Sequence, residues 1–159
     1  MAQSNSPAVV FRIATRADLP AILDLLDGDE ISRSRAPLPS PEDEDASSWA
    51  AFEAIDADPR NELVVADAGG EIVGTCQLTF IPSLSRRGAE RMTIEAVHVR
   101  ADRRGRGLGR LMMTWAMERG RERGCRLAQL TTDKRRTDAH RFYASLGFDA
   151  SHEGFKKPL

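Results

Sequence analysis

A glycine- and arginine-rich segment in the middle of the chain places the strongest limit on its fold. The segment is VHVRADRRGRGLGR, residues 97–110, and it begins as an apolar strand pattern. It continues into a helix whose apolar positions, Leu108, Leu111, Met112 and Trp115, follow the helical period. Glycines let backbone amides approach an anion, and the start of a helix adds roughly half a positive charge. The segment therefore predicts a strand, a turn and a helix that bind a phosphate or pyrophosphate group.

Two common phosphate-binding motifs do not fit this segment. A P-loop needs a lysine followed by serine or threonine, and the turn has neither. The dinucleotide-binding motif follows a first strand, whereas Gly105, Gly107 and Gly109 have a different spacing and lie in mid-chain. ATP hydrolysis and dinucleotide binding are therefore disfavoured. The alternative is a turn whose glycines only ease the chain into a packed helix, with incidental arginines.

The remaining sequence predicts an interleaved series of strands and helices. A hairpin at Gly69-Gly70 joins two β-rich stretches and makes part of the sheet antiparallel. We predict an α/β chain of the α+β kind, with a mixed, mostly antiparallel central sheet flanked by helices, and with one domain at 9–159 after a flexible start at 1–8. The predicted elements are strands 9–14, 62–68, 71–80, 92–99, 126–132 and 147–155, helices 19–27, 41–57 after a Ser40 cap, 108–123 and 138–146, and loops 28–40 and 82–91.

The apolar runs and the cysteines limit the location and chemistry of the protein. No apolar run is long enough for a membrane span, and residues 1–10 lack the basic and apolar stretches of a leader. Cys76 and Cys125 are too few for a disulfide framework and have no metal-ligand spacing. We expect a cytoplasmic protein that binds no metal and no membrane.

Two of the predicted strands place a reactive side chain on a defined face. Cys76 lies in the first of them, and we expect it in the core rather than as a nucleophile. Glu95 lies in the second, and an acid in a central strand is costly to bury unless it has a partner or a task. Glu95 is therefore a candidate functional residue. The expected faces are Ile72, Gly74, Cys76, Leu78 and Phe80, and Thr93, Glu95, Val97 and Val99.

The net charge of −1 hides an uneven distribution of charge along the chain. Residues 1–85 contain 15 acids and 5 bases, a balance of −10, whereas residues 86–159 contain 9 acids and 18 bases, a balance of +9. The basic half predicts an anionic partner, and the acidic half, with its run at 42–45, favours a cationic one. The alternative is a fold that mixes the two halves and cancels their fields.

Two motifs in the second half of the chain belong together. Residues 104–109, RGRGLG, contain the pattern R-x-x-G-x-G between a strand and a helix, and residues 139–148, AHRFYASLGF, contain A-x-x-[LF]-Y-x-x-x-G-F. With both motifs the chain resembles the GNAT superfamily of acetyl-CoA-dependent N-acetyltransferases. The resemblance implies a pair of strands that splay apart and hold the thioester of acetyl-CoA in the gap, next to Glu95 and Tyr143.

The resemblance also implies contacts to the cofactor. The backbone of Val97, His98 and Val99 would pair with the pantetheine arm. Many members of the family have an asparagine three positions before the alanine of the second motif, where this chain has Arg136. We expect that arginine to substitute a charge contact to phosphate. The residues expected to hold the pyrophosphate, mainly with main-chain amides, are Arg104, Gly105, Arg106, Gly107, Leu108, Gly109 and Arg110.

Acetylation of an amine requires a base and an acid. A primary amine is protonated at neutral pH, so it needs a proton acceptor, and Glu95, expected to be partly buried, is the candidate. Tyr143, the single tyrosine of the chain, resembles the family's general acid and would protonate the leaving thiolate. Alternatively, Glu95 pairs with an arginine or sets specificity, and Tyr143 only packs. Cys125 is expected to pack rather than carry acetyl, so transfer would be direct, in a ternary complex.

Two further interpretations stay open. Arginine-rich stretches at 103–110 and 134–136 are compatible with a nucleic-acid-binding module, although aromatic residues are only 6% and no stacking motif accompanies the arginines. The same fold without catalysis would be an acyl-CoA-binding module. We predict an enzyme whose partners are acetyl-CoA and an amine of a small molecule or protein, with a preference for a cationic amine and without nucleic acid. A monomer and a homodimer both fit the sequence.

Overall fold

The computed structural model describes residues 8–34 and 44–159 of the chain. The expected Ser40 cap, half of the acidic run, the end of the predicted loop at 28–40 and nearly all of the expected flexible start lie outside these residues. The described part contains five strands, β1 Val10–Ile13, β2 Asn61–Asp67, β3 Ile72–Ile81, β4 Arg91–Val99 and β5 Leu127–Leu130. Its helices are α1 Leu19–Asp27, α2 Glu30–Arg33, α3 Glu44–Ala57, α4 Ser85–Gly88, α5 Leu108–Glu122 and α6 Thr137–Ser145, with short 3-10 turns at Arg16–Asp18 and Ala101–Arg103.

The five strands form one sheet in the order β1-β2-β3-β4-β5. The first three pairs are antiparallel and β4 pairs with β5 in parallel, so the predicted mixed, mostly antiparallel sheet is confirmed. Gly69 and Gly70 both have positive φ, +71° and +94°, as a tight hairpin turn requires. The chain needs the length of α5 to cross over from β4 to the parallel strand β5.

Helices cover both faces of the sheet. Val64 and Val65 are consecutive in β2 and therefore point to opposite faces. Val64 belongs to a buried cluster that includes Met112, Met113 and Ala116 of α5, together with Cys76, Leu78, Phe80, Met92 and Ile94. Val65 belongs to a second cluster, with Leu19 and Ile22 of α1 and Phe52 of α3. The main core thus lies between the sheet and α5, and Cys76 is part of it, as expected.

One detail of the predicted face of β3 and one of α5 are wrong. Ile72 packs against the second cluster and not with Cys76, because the register between β2 and β3 shifts at Ala66 and Asp67 and changes the alternation. In α5, Leu111 is 57% exposed. The buried stripe instead runs through Leu108, Met112, Met113, Ala116 and Gly120.

The predicted strand at 147–155 is wrong. The described residues 146–159 contain no strand, and every residue from 149 onward is exposed. Phe148 and Phe155 are separated by mostly small, polar and charged residues, so the segment lacks the alternation that would bury one face of a strand. The described part of the predicted loop at 28–40 contains the one-turn helix α2. In the predicted loop at 82–91, α4 is a short turn in which Arg86 and Arg87 have a left-handed backbone.

Candidate active site

The sheet opens between β4 and β5. The pairing of these strands runs from Arg91 opposite Leu127 to Ile94 opposite Leu130, where β5 ends. β4 continues to Val99 and stays paired only with β3. Its edge at 95–99 therefore faces the gap without a partner strand in the described part of the chain. The splay that the resemblance implied is present.

A bulge in β4 lies at this opening. Ala96 has a left-handed backbone, with φ +50°, and the register with β3 shifts beside it, between Thr75 and Gln77. A left-handed conformation costs a non-glycine residue roughly 1–2 kcal/mol, so the rest of the sheet must hold it in place. Strained residues of this kind occur preferentially at functional sites.

The bulge changes which face Glu95 occupies. Before it, Met92 and Ile94 are buried against α5, and after it Val97 and Val99 pack against the same cluster. The alternation thus moves from even to odd positions at Ala96, and Glu95 lies on the face away from α5. The expectation that Glu95 shares a face with Val97 and Val99 is wrong. Glu95 is also exposed rather than partly buried, because α5 does not cover its face.

The glycine-rich turn leads directly into α5. Gly105 and Gly107 have positive φ, +71° and +82°, and a Cβ added at either would meet nothing within 4 Å. The amide of Leu111 bonds to the carbonyl of Gly107 at 3.0 Å, so the amides of the first turn of α5 have no intrahelical acceptor. Together the turn and helix start form an open cradle of backbone amides, the arrangement that binds anions.

The arginines around the turn make different contacts. Arg100 pairs with Glu71 and Asp102 at 2.6 Å each, and Arg103 lies within 3.8 Å of the same two carboxylates. Arg104 donates from Nε to the carbonyl of Val99 at 2.9 Å, which ties the turn to the end of β4. The remaining two are exposed, Arg106 in the turn and Arg110, which donates to Ser145 Oγ at 2.9 Å.

Tyr143 lies on the α5 side of the opening. Its ring is half-buried against the main core cluster, 5.3 Å from Phe142 and 6.0 Å from Phe148 between centroids. Burial raises the pKa of Tyr143 and the positive charge of Arg136 acts in the opposite direction. The hydroxyl makes no hydrogen bond with the described residues. A phenol that stays protonated at neutral pH and has a free hydroxyl can donate a proton.

The side chain of Arg136 is paired with a carboxylate from the first half of the chain. It forms an ion pair with Asp29, the N-cap of α2, and donates to Ser32 Oγ at 3.3 Å. Burial raises the pKa of Asp29, but Arg136 and Ser32 together hold it well below its usual range. Arg136 therefore lies beside α2, and a contact of its side chain to phosphate would require this ion pair to break.

Ion pairs between the two halves of the chain are common. Glu62 binds Arg119 with a shortest distance of 2.7 Å, Glu71 binds Arg100, and Asp29 binds Arg136. The acidic first half therefore neutralises part of the basic second half inside the folded protein. The fold mixes the charges, as the alternative interpretation predicted, and leaves the exposed arginines of the turn as the local excess of positive charge.

Comparisons with known proteins identify the family. Residues 24–148 match the Acetyltransferase (GNAT) family. The chain belongs to the GNAT family of acetyltransferases. It is 35% identical over 102 residues to an aminoalkylphosphonate N-acetyltransferase of Salmonella typhimurium, an alignment that covers 64% of this chain and 66% of the relative, slightly less than two thirds of its length.

Solved structures show the same GNAT architecture over nearly the whole chain. A transcriptional regulator from Bacillus halodurans is 47% identical with a TM-score of 0.87, covering 96% of this chain and 100% of that one. An acetyltransferase of Trypanosoma brucei is 26% identical with a TM-score of 0.75, covering 96% and 100%. The single-domain fold predicted for this chain is therefore confirmed.

The two GNAT motifs meet in space. A Cβ added to Gly109, in the first motif, would lie 3.4 Å from the Phe142 ring of the second, and 3.8 Å from Val99. The hydrogen bond of Arg110 to Ser145 joins the same two segments. Gly109 is thus a close-packing position, whereas Gly105 and Gly107 keep the cradle open.

Sequence reasoning missed a row of uncharged polar residues on the Glu95 face of the sheet. The row contains one residue from each of four strands in register: Asn61, Thr79, Thr93 and Gln129. The alternating polar residues of β3 and β4 are the sequence signal from which this row could have been predicted.

None of the described helices is long and apolar enough to cross a membrane. In the same residues no group of three or more His, Cys, Asp or Glu side chains is placed to hold a metal ion.

Proposed function

We propose that the chain transfers an acetyl group from acetyl-CoA to a primary amine by direct attack in a ternary complex. One observation carries the proposal: β4 separates Glu95 from Tyr143 at the opening of the sheet, with an amide cradle at the end of the same strand. A base on one face and an acid on the other are what an acyl transfer through the opening needs. The proposed acetyltransferase domain comprises residues 9–159.

The cradle and the free edge of β4 fit the two polar parts of coenzyme A. The amides at 105–110 would hold the pyrophosphate, since the turn carries no Cβ in its way at Gly105 and Gly107. Arg106 is free to add charge, and Arg104 and Arg110 keep the turn and α5 in place. The backbone of Val97, His98 and Val99 would pair with the amides of the pantetheine arm, as a strand would.

The proton transfers follow from the two faces. The amine approaches on the Glu95 face and gives up its proton to Glu95, directly or through a water. Its nitrogen then bonds to the thioester carbon, and backbone N–H groups near Val97 stabilise the oxyanion that forms on the carbonyl oxygen. As this intermediate collapses, the carbon–sulfur bond breaks and the nitrogen loses its second proton to a water. The thiolate takes a proton from Tyr143, which recovers it from solvent. Because Glu95 is exposed, it needs no desolvation to reach a water or the amine.

The acetyl acceptor that we propose is a primary amine. The Salmonella relative is named for aminoalkylphosphonates, which contain such an amine. A second candidate function is suggested by the Bacillus halodurans protein, whose name makes it a transcriptional regulator. In that case the chain would bind acyl-CoA without turnover and act through a partner.

Release of free thiol from acetyl-CoA in the presence of an amine panel tests the proposal. We expect amine-dependent release by the wild type, and a loss of about 100-fold in kcat at pH 7 for Glu95→Gln with an unchanged KM for acetyl-CoA. Glu153→Gln, which removes an exposed carboxylate from the C-terminal tail, serves as the control and should match the wild type. Tight binding of acetyl-CoA without release of thiol for any amine would support the regulator instead.

A further inference from the structure

The polar row on the Glu95 face has a charged residue on either side of it. One step along the strands towards the opening, Gln77 faces Glu95 across the β3–β4 pair. One step in the other direction, Arg91 lies between Ile81 and Leu127. Arg91 starts from the same face as Thr93 and Glu95, since the intervening Met92 and Ile94 are buried on the α5 side. The Cα atoms of Glu95 and Arg91 are about 13 Å apart along the strand.

Hydrogen bonds hold the row in a fixed arrangement. Asn61 Oδ1 accepts from Thr79 Oγ1 at 2.8 Å and from Gln77 Nε2 at 3.2 Å, and Asn61 Nδ2 donates to Asp58 at 2.8 Å. Gln129 Nε2 donates to Thr93 Oγ1 at 3.0 Å. The hydroxyl hydrogen of Thr93 and the side-chain oxygen Oε1 of Gln129 remain available to another partner. Gln129 is exposed and Thr93 is partly exposed, so a small molecule can reach both.

Arg91 lacks the partners that a guanidinium normally has. Its Nε is buried and has no hydrogen-bond partner in the described part of the chain. Buried polar groups are satisfied in most structures, and an unmade hydrogen bond to a charged group is costly. The neighbours of Arg91 in its row, Ile81 and Leu127, are apolar and offer no side-chain acceptor. A carboxylate, phosphate or phosphonate would supply two acceptors in the planar geometry that a guanidinium prefers.

We propose that this face binds an acceptor amine that also carries an oxyanion group, with the amine at Glu95, the oxyanion at Arg91 and the polar row beneath the segment between them. The inference rests on the proposed function and adds the substrate class. It replaces the simple preference for a cationic amine with a preference for an acceptor of both charges. Arg91 is then a specificity-determining residue that acts on binding of the acceptor and not on the chemical step.

Matched probes test this without any variant. We expect the wild type to acetylate 3-aminopropylphosphonate and 4-aminobutanoate with kcat/KM at least 10-fold above that for propylamine and for 1,3-diaminopropane, which lack the oxyanion. A series of ω-aminoalkylphosphonates with growing spacers should show an optimum. Equal rates for amines with and without the oxyanion would overturn the inference and leave the proposed function intact. Acetyl-CoA binding without acetylation of any probe would instead overturn the proposed function.

Variants then locate the oxyanion. Arg91→Gln should raise KM for 3-aminopropylphosphonate by about 10- to 100-fold, with little change for propylamine and for acetyl-CoA, and Arg91→Lys should restore part of the affinity. Thr93→Val should raise the acceptor KM several-fold for the same probe. Arg126→Gln, which removes an exposed guanidinium just before β5, is the matched control. A preference for oxyanion-bearing amines that survives Arg91→Gln would place the anion site elsewhere.

Discussion

Asp29 and Arg136 are 107 positions apart in the chain and form a two-pronged ion pair, with Arg136 Nη1 3.1 Å from Asp29 Oδ1. The same carboxylate accepts from the amide and hydroxyl of Ser32 within α2. The pair joins α2, a single helical turn, to the residue that caps α6, the helix of Tyr143. A short element with little core of its own is thereby fixed next to the opening of the sheet.

Removing this ion pair should destabilise the protein. We expect Asp29→Asn and Arg136→Ala each to lower the free energy of unfolding by about 1–2 kcal/mol, since each removes the opposite charge from a largely buried ionic group. Urea denaturation followed by circular dichroism measures the change. Arg121→Ala is the control, because Arg121 is exposed and its ion-pair partner Glu118 lies one turn away on the same helix, and we expect a much smaller effect.

The two variants also separate the roles of Arg136. If Arg136 leaves Asp29 to bind a phosphate of acetyl-CoA, Arg136→Ala raises KM for acetyl-CoA about 10-fold or more, while Asp29→Asn frees the arginine and lowers it. If the pair is purely structural, both variants keep the wild-type KM for acetyl-CoA within about twofold. Initial rates at saturating amine distinguish the two results.

Gly107→Trp should abolish binding of acetyl-CoA while the fold survives. Gly107 has φ +82° and open space around its missing Cβ, so the indole would occupy the cradle rather than the core. The strain of a left-handed tryptophan costs about 1 kcal/mol. Gly124→Trp is the matched control, because Gly124 has φ +86°, equally open surroundings and a position at the far end of α5. Isothermal titration with acetyl-CoA should show binding to the control and none to Gly107→Trp.

Tyr143→Phe should slow turnover about 100-fold and leave the KM for acetyl-CoA unchanged, because it removes the proton donor and keeps the ring packing. Since burial raises the pKa of Tyr143 above its ordinary value, the hydroxyl stays protonated across the neutral range. On the alkaline side of the pH profile, the wild-type rate should therefore begin to fall only at strongly alkaline pH. That alkaline limb should disappear from the pH profile of kcat for the variant, and a wild-type rate for Tyr143→Phe would exclude the acid role.

The sequence predicted elements and motifs better than it predicted faces. The strand, turn and helix at 97–110 follow local rules, so their positions could be inferred from hydrophobic periodicity and glycine spacing. Tyr143 is indicated by the resemblance of residues 139–148 to a GNAT motif. The face of Glu95 could not, because one left-handed residue, Ala96, reverses the alternation, and alanine gives no sign of it. Asp29 could not be connected to Arg136 either, since nothing local in the sequence indicates a contact over 107 positions.

The two thiols should differ sharply in reactivity. Cys76 is fully buried, and burial raises its pKa to about 12, so almost no thiolate forms at pH 8. Cys125 is partly exposed, although burial and Glu90 raise its pKa as well. With a disulfide reagent we expect one thiol to react slowly in the native protein and the second only in denaturant. Cys125→Ser should abolish the reaction of the native protein with the reagent. It should leave the rate of acetyl transfer unchanged, because direct transfer forms no acetyl-cysteine.

Asp18 should make the stability depend on pH in the acid range. Its carboxylate accepts from Arg12 at 2.7 and 3.0 Å, and this contact, opposed by burial and aided by Thr15, lowers the pKa of Asp18 to about 2. A carboxyl whose pKa is lower in the folded than in the unfolded protein stabilises the fold above the unfolded value, near 4, and loses that contribution as the pH falls towards 2. We expect Asp18→Asn to cost about 2 kcal/mol at pH 6 and much less at pH 2, measured by urea denaturation at both values. Asp24→Asn, an exposed carboxylate on α1, is the control, and an equal loss for Asp18→Asn at both pH values would show that the ion pair with Arg12 is not its origin.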